Sequence, residues 1–373
     1  MIKVLQIGFG YKVGGIQNCL LNFYKNLDRN EIHFDFINMT GYEHLYYEDE
    51  IKKLESKIFA IPNEYKHPVK AYKQLKKIIK ENKYDIVHIN KNSLSSLVVL
   101  KAVKDSGVKV RILHSHNTHS DGGKIGALLH KINKHLAGRF CNVFFACSTD
   151  AAKWMYTKKN LNSTSFYMIN NAIDLDKYSY DENIRKKMRD KLKIKQNSIV
   201  IGDIARLVAV KNQKYLIDIL KYRKNLIDTK LLLVGDGDMR EELVSYAKKN
   251  GVLDDIIFTG NVPDVNNYCQ AMDIFVMPSF FEGLPIAGVE AQASGLPAIF
   301  SDTITMDAKI NDRTTYISLE KDPKFWSETI DKILLEYDRN SSKKDIENCN
   351  FNIHNEAQKL QKIYQYIVHE KIK

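Results

Sequence analysis

Cysteine is scarce in this chain of 373 residues, and none of it is paired in the sequence. Cys19, Cys141, Cys147, Cys269 and Cys349 show no CxxC spacing, which argues against a disulfide framework or a thiolate zinc site and fits a reducing cytoplasm. No apolar run approaches the roughly 20 residues of a membrane span. The chain passes from Met1 directly into IKVLQIG, without the pattern of a secretory leader. No Walker A string occurs, so a P-loop NTPase is not indicated. Acids are sparse in the first half: residues 1–174 hold 26 Lys and Arg against 15 Asp and Glu, whereas residues 175–373 hold 30 of each. That asymmetry points to an anionic partner for the first half, either nucleic acid, acidic lipid or a phosphorylated substrate. A solvated lysine-rich surface would read the same way. No recognised nucleic-acid motif accompanies the charge.

Against these absences stands a regular alternation. KVLQIG (3–8), FDFINM (34–39), YDIVHIN (84–90), VKVRILHSH (108–116) and NVFFACS (142–148) are predicted strands. Between them Ile16–Leu27 and Val69–Glu81 carry apolar residues at helical spacing. The pattern restarts with SIVIGDIAR (198–206), TKLLLVGDG (229–237), DIIFTG (255–260), DIFVMPS (273–279) and LPAIF (296–300). This is an α/β chain with parallel sheets, read as two doubly wound Rossmann-like domains. A polar, basic stretch from Asp174 to Gln196 is the expected hinge between them, and 322–373 reads as packing or bridging helices. Ligands of such folds bind at the carboxyl ends of the strands, so a cleft between the domains is the expected site.

Four constellations fall at those ends. In GFGYKVGGIQ the third glycine of a dinucleotide fingerprint is replaced by Val13, which disfavours NAD, while Gly14 and Gly15 precede a helix whose amides can face an anion. A second turn, VGDG, places Gly235 and Gly237 between strand and helix, with Asp236 able to cap. RILHSHNTHS sets His114, His116 and His119 at a strand end. They suit either hydrogen bonds to a substrate or half of a metal site, for which Asp121 is the only nearby acid. DIARLVAVKNQ places Arg206 and Lys211 on one loop, a guanidinium and an ammonium suited to a diphosphate.

FEGLPIAGVE separates Glu282 from Glu290 by apolar residues and glycine alone. Pro285 is a suitable first helical residue, so Glu282 precedes a helix and Glu290 lies inside it. The pair can bracket a ligand, with free amides of the helix start between them. An acid–nucleophile pair of a glycosidase is the rival, but the phosphate-binding features would then be surplus.

The string PSFFEGLPIAGVEAQASGLP, with VGGIQNCLLNFYKNL, RILHSHN, MINNAID, ARLVAVKN and VGDG in the same order, resembles the retaining glycosyltransferases of family 4 with the GT-B fold, especially bacterial enzymes of exopolysaccharide or capsule synthesis. The resemblance implies two domains facing each other across a cleft. Residues 1–173 bind the acceptor, joined by a C-terminal helix at 355–373, and residues 174–354 bind the nucleotide-sugar donor. It implies that Glu282 meets the donor sugar, Glu290 the ribose, and Arg206 and Lys211 the diphosphate. His116 falls at the family's active-site histidine, with His114 behind it. Gly14 and Gly15 face donor phosphate and acceptor. Asn171, Gly235, Leu284, Pro285, Ile286 and Ala287 join the donor set. Ala205, Ala172 and Gln17 depart from the usual Gly, Gly and Glu at their places.

No Asp-x-Asp stands in a convincing metal-binding context, so no cofactor or metal is expected; cations and amides would compensate the leaving diphosphate. The donor is expected to be UDP-linked, with GDP behind it, and the acceptor a polyprenyl-diphosphate-linked saccharide. GKIGALLHKINKHLAGRF sets Leu128, Leu129, Ile132 and Leu136 on one face, with Lys131, Lys134, His135 and Arg139 elsewhere, and KQLKKIIKENK (73–83) is a second basic run. Either is an ordinary core-facing helix or a contact with the anionic inner face of the plasma membrane. A nucleotide-sugar 2-epimerase and a silent sugar-nucleotide-binding subunit stay open as alternatives.

Overall fold

The computed structural model describes residues 1–9, 15–41, 45, 47–117, 123–223, 228–337, 339 and 351–372. The chain divides into two compact units, Met1–Ile173 with Asn350–Lys373, and Asp174–Cys349.

Unit 1 is built on seven parallel strands: β1 (Ile2–Phe9), β2 (Ile32–Asn38), β3 (Ile58–Ala60), β4 (Ile86–Lys91), β5 (Val110–Ser115), β6 (Val143–Ala146) and β7 (Phe166–Met168), in the order β3-β2-β1-β4-β5-β6-β7. The order reverses between β1 and β4, the position at which an open α/β sheet leaves a crevice beyond its carboxyl edge. Strands such as Ile86–Lys91 are buried along their whole length because helices cover both faces of the sheet. One covering layer comes from the far end of the chain. The helix Ile353–Ile372 sinks Ala357, Leu360, Tyr364 and Ile367 into the core beside Phe34, Phe36 and Phe145. Asn352 bridges to Ile173, and the Asn170 amide donates to Glu356 at 3.0 Å.

Unit 2 repeats the plan with β8 (Ile199–Ile204), β9 (Thr229–Val234), β10 (Ile256–Phe258), β11 (Ile274–Met277), β12 (Ala298–Ser301) and β13 (Thr314–Ile317), ordered β10-β9-β8-β11-β12-β13. Its reversal lies between β8 and β11. The ten strands read from the sequence are all present; the three short strands at or next to the sheet edges, β3, β7 and β13, are additional.

The stretch Asp174–Gln196, expected as the hinge, opens unit 2. It folds into helices Leu175–Tyr178 and Glu182–Lys191, and its two arginines are paired. Arg185 and Arg189 clamp the two oxygens of Asp273 at 2.5 and 2.6 Å, and Arg189 is fully buried on carbonyls of Ala271, Lys195, Gln196 and Ser198. A basic stretch reads as exposed from composition alone, yet here the partly buried Asp273 carboxylate and six carbonyls, those of Gln270 and Met272 among them, take up the charge of two arginines.

Candidate active site

The loops after β8 and β11 carry the unit 2 residues. They are stitched together by backbone: the Phe280 amide donates to Val210 O at 2.9 Å, and Asn212 Nδ2 donates to Pro278 O at 3.1 Å. This brings Lys211 onto Glu282 as a direct ion pair, with Ser279 Oγ donating to the same Glu282 oxygen at 2.8 Å. Beneath them lies Asp203, 2% exposed on β8, whose Oδ2 accepts from Gln213 at 3.3 Å while Oδ1 has no partner. Burial pushes Asp203 up to about 7, against the pull of Lys211. Arg206 is exposed, and no ion pair to its guanidinium occurs among the described residues. Lys211 is thus paired with Glu282, whereas the Arg206 guanidinium is not held in an ion pair among the described residues.

After β11 the helix Ile286–Ala293 begins one residue later than the sequence suggests. Pro285 is its cap in extended conformation, its carbonyl accepting from Gly288 at 2.9 Å and Val289 at 3.2 Å. The amides of Ile286 and Ala287 point along the axis with no intrahelical acceptor. Leu284, Ile286 and Ala287 are partly exposed and Pro285 is buried. Glu282 stands before this helix and Glu290 in its second turn. Glu290 accepts from Tyr178 Oη at 2.6 Å, and burial raises its carboxyl to about 7. Gly288 is required on the opposite face, where a Cβ would lie 2.7 Å from the Phe300 ring.

Gly235 has a different reason from the capping read in its turn. Its φ is +135°, and a Cβ would meet the Ala205 carbonyl oxygen at 2.1 Å, so the β9 turn lies flat against the loop that ends in Arg206. Asp236 does not cap the next helix, Arg240–Lys249, whose cap is Met239; it accepts from Gly237 N at 2.9 Å instead.

In unit 1 the histidines belong to a buried polar ring. Gln6 Nε2 donates to Tyr364 Oη at 3.4 Å, and that hydroxyl donates to His88 Nδ1 at 2.6 Å. His88 Nε2 and His114 Nδ1 share a hydrogen bond at 3.1 Å. On the other side, Asn90 Nδ2 donates to Gln6 Oε1 at 3.0 Å and to Ile7 O at 3.1 Å, so its Oδ1 accepts from His116 Nε2 at 2.8 Å. His114 Nε2 and His116 Nδ1 are buried and have no hydrogen-bond partner among the described residues, in rings 3.9 Å apart. Burial keeps all three imidazoles neutral: His88 and His114 are pushed far down, His116 to about 4. His114 is thus inside the sheet layer, and His116, partly exposed, is the member at the strand end. Asn171 accepts from Cys19 Sγ at 3.2 Å, and its side chain partly offsets the depression of His116. Gly15 opens the helix Gly15–Asn26 with nothing within 4 Å of a Cβ position. Gly14, His119 and Asp121 lie outside the described residues.

The sequence reading overlooked Tyr178, Ser279, Asp203, His88, Asn90, Gln6 and Tyr364. An acid inside SIVIGDIAR and the polar side chains inside YDIVHIN were visible anomalies, because strands buried on both faces are otherwise apolar. Tyr178 and Tyr364 carried no such signal.

Residues 13–177 match the family described as Glycosyltransferase Family 4, and residues 184–349 match Glycosyl transferases group 1. The chain is 30% identical over 338 residues to the putative glycosyltransferase EpsF of Bacillus subtilis (strain 168), covering 88% of this chain and 86% of that one. It is 31% identical over 241 residues to the UDP-Gal:alpha-D-GlcNAc-diphosphoundecaprenol alpha-1,3-galactosyltransferase of Escherichia coli, covering 63% and 62%. Among solved structures, Anabaena Alr3699/HepE in complex with UDP and glucose superposes with a TM-score of 0.76 at 18% identity, over 99% of both chains, which shows a shared fold.

Proposed function

The chain belongs to the glycosyltransferases of family 4, with the GT-B fold, and we propose that it transfers a sugar from a UDP-sugar to a lipid-linked saccharide during synthesis of a bacterial surface polysaccharide. The observation that carries this reading is the end of unit 2 beyond β8 and β11. There Arg206, without an ion pair among the described residues, the Lys211–Glu282 pair and open helix amides are followed by Glu290 in the second helical turn. That set supplies positive charge for a diphosphate and carboxylates for hydroxyls on either side of it. The UDP and lipid-linked parts of the proposal draw support from the names of the Escherichia coli relative and the Anabaena structure.

In this reaction the bond from the sugar's anomeric carbon to the diphosphate oxygen breaks, and its electron pair leaves with the diphosphate. The acceptor oxygen bonds the anomeric carbon on the same face, and its proton passes to the departing phosphate, giving retention. Arg206, Lys211 and the amides of Ile286 and Ala287 stabilise the charge that develops, without need of a divalent ion. Glu282 accepts hydrogen bonds from the donor sugar and Glu290 from the ribose. Neutral His116 hydrogen-bonds the sugar, with Asn171, Gly235, Leu284 and Pro285 shaping the donor surroundings. Gly14 and Gly15 face phosphate and acceptor.

Thermal stabilisation by UDP, GDP and ADP in the presence of EDTA tests the reading. UDP is expected to raise the melting temperature of the wild type and not of Glu290→Ala. Silence with every nucleotide would sink it. Turnover that needs an added acceptor separates transfer from isomerisation.

A further inference from the structure

The helix Gly123–Asn133 in unit 1 is amphipathic in the wrong sense for a core-packed helix. Its apolar side chains Ile125, Leu128, Leu129 and Ile132, at the i, i+3, i+4, i+7 spacing of one face, are 76%, 60%, 42% and 55% exposed. The inward face is instead small and polar. Gly126 and His130 are buried, and His130 stacks on Trp154 with centroids 4.0 Å apart. His130 Nδ1 accepts from the Leu94 amide at 2.9 Å and Nε2 donates to Trp154 O at 3.1 Å. Asn133 Nδ2 donates to Leu94 O at 2.8 Å. Hydrogen bonds and one ring stack thus hold the helix with its hydrophobic side turned out. The second basic run behaves normally: Pro68–Asn82 buries Ala71, Leu75, Ile78 and Ile79, so its lysines are a solvated face.

The charged side chains of the segment that carries the exposed face are of one sign. Lys124, Lys131, His135 and Arg139 are exposed, Lys134 is partly exposed, and the sequence has no acid from Gly122 to Thr149. Unit 1 as a whole holds 30 Lys and Arg against 16 Asp and Glu, whereas unit 2 holds 26 against 29. Eleven residues are too few to cross a bilayer, and no helix among the described residues is long and apolar enough to do so. A second copy fits poorly as occupant, because a twofold contact would bring the same lysines together.

We propose that this face, Ile125, Leu128, Leu129 and Ile132 rimmed by Lys124 and Lys131, lies in the interface of an anionic lipid bilayer and holds unit 1 on the membrane. The apolar side chains enter the acyl boundary while the cations meet lipid phosphates. The proposal deepens the functional reading, since a lipid-linked acceptor is confined to such a surface.

Co-sedimentation with vesicles decides it. The full chain is mixed with phosphatidylcholine vesicles, or with vesicles containing about one third phosphatidylglycerol. Wild type is expected to pellet with the anionic vesicles and little with the neutral ones, less so as salt rises. Leu128→Gln with Ile132→Gln, and separately Lys124→Glu with Lys131→Glu, should each weaken partitioning about tenfold or more. These side chains are solvent-facing, and unchanged melting temperatures confirm that the variants fold. No partitioning by wild type, or undiminished partitioning by both variants, overturns the proposal. So does a wild-type dimer in sedimentation velocity that Leu128→Gln with Ile132→Gln dissolves while vesicles go unbound. The UDP thermal shift is read on the same samples: its absence beside intact vesicle binding rejects the donor reading and leaves this surface standing.

Discussion

Tyr178 donates its hydroxyl to Glu290 across 112 residues of sequence, at 2.6 Å. The bond occupies Glu290 Oε1, the group proposed to receive the ribose; Glu290 opposes ionisation of the phenol, while the phenol's hydrogen bond favours ionised Glu290 and only partly offsets its burial. Burial beside Glu290 raises the Tyr178 phenol strongly, and burial lifts Glu290 to about 7. Glu290 thus binds a proton more tightly folded than unfolded. Its contribution favours the fold at low pH and is lost as pH rises from about 4.5 through 7. Glu290→Gln should therefore melt higher than wild type at pH 8, with the gap closing near pH 5, in parallel melts of the ligand-free protein.

Asp203 follows the same sign more strongly, because its carboxyl is almost wholly enclosed and lifted from 3.8 to about 7. Ionised Asp203 above neutrality costs on the order of 2–4 kcal/mol. Asp203→Asn is expected to flatten the loss of urea stability between pH 5 and pH 8, read from chemical denaturation at each pH.

Lys211 and Glu282 form one ion pair rather than two independent contacts. Lys211→Ala and Glu282→Ala should each lower turnover about a hundredfold. The double variant should be scarcely slower than either single one, because the first substitution already dismantles the pair. Steady-state rates of the four proteins with the same donor and acceptor check this; multiplicative losses would mean the two act separately.

The polar ring of unit 1 predicts a stability effect at its buried end, at Tyr364. Tyr364→Phe leaves Gln6 Nε2 and His88 Nδ1 buried without partners, which costs about 1–3 kcal/mol. Tyr366, 58% exposed on the same helix, is the control, and Tyr366→Phe should cost nothing measurable in urea melts.

Gly288→Ala must displace the Phe300 ring that would sit 2.7 Å from the new methyl. Overpacking of this kind costs about 1–3 kcal/mol. Phe300→Leu in the same chain should recover part of that loss, whereas Phe300→Leu alone destabilises, as a four-protein thermal comparison shows.

Much of the architecture was legible because it is local. Apolar runs such as KVLQIG and TKLLLVGDG announce buried parallel strands, and the glycine turns and polar strings after them announce loops. The strands missed, β3, β7 and β13, have only three or four residues at or next to sheet edges, too short for a period to register. The helix bearing Glu290 was placed to within one residue, since proline marks its start. In Asp174–Gln196 composition reports charge and not Asp273, the partner that absorbs part of it.

The sequence by itself determined the alternation of strands and helices, the order of the motif strings and the surplus of cations in the first half. Only the tertiary structure decided that Tyr364 closes a ring with Gln6, His88, His114, His116 and Asn90, and that Lys211 meets Glu282. It also decided that Ile125, Leu128, Leu129 and Ile132 face outward. The physical reason is common to all three. Periodicity states which residues share a face, but what covers that face, and which distant donor reaches a given acceptor, depends on segments whose positions are set only when the sheets close.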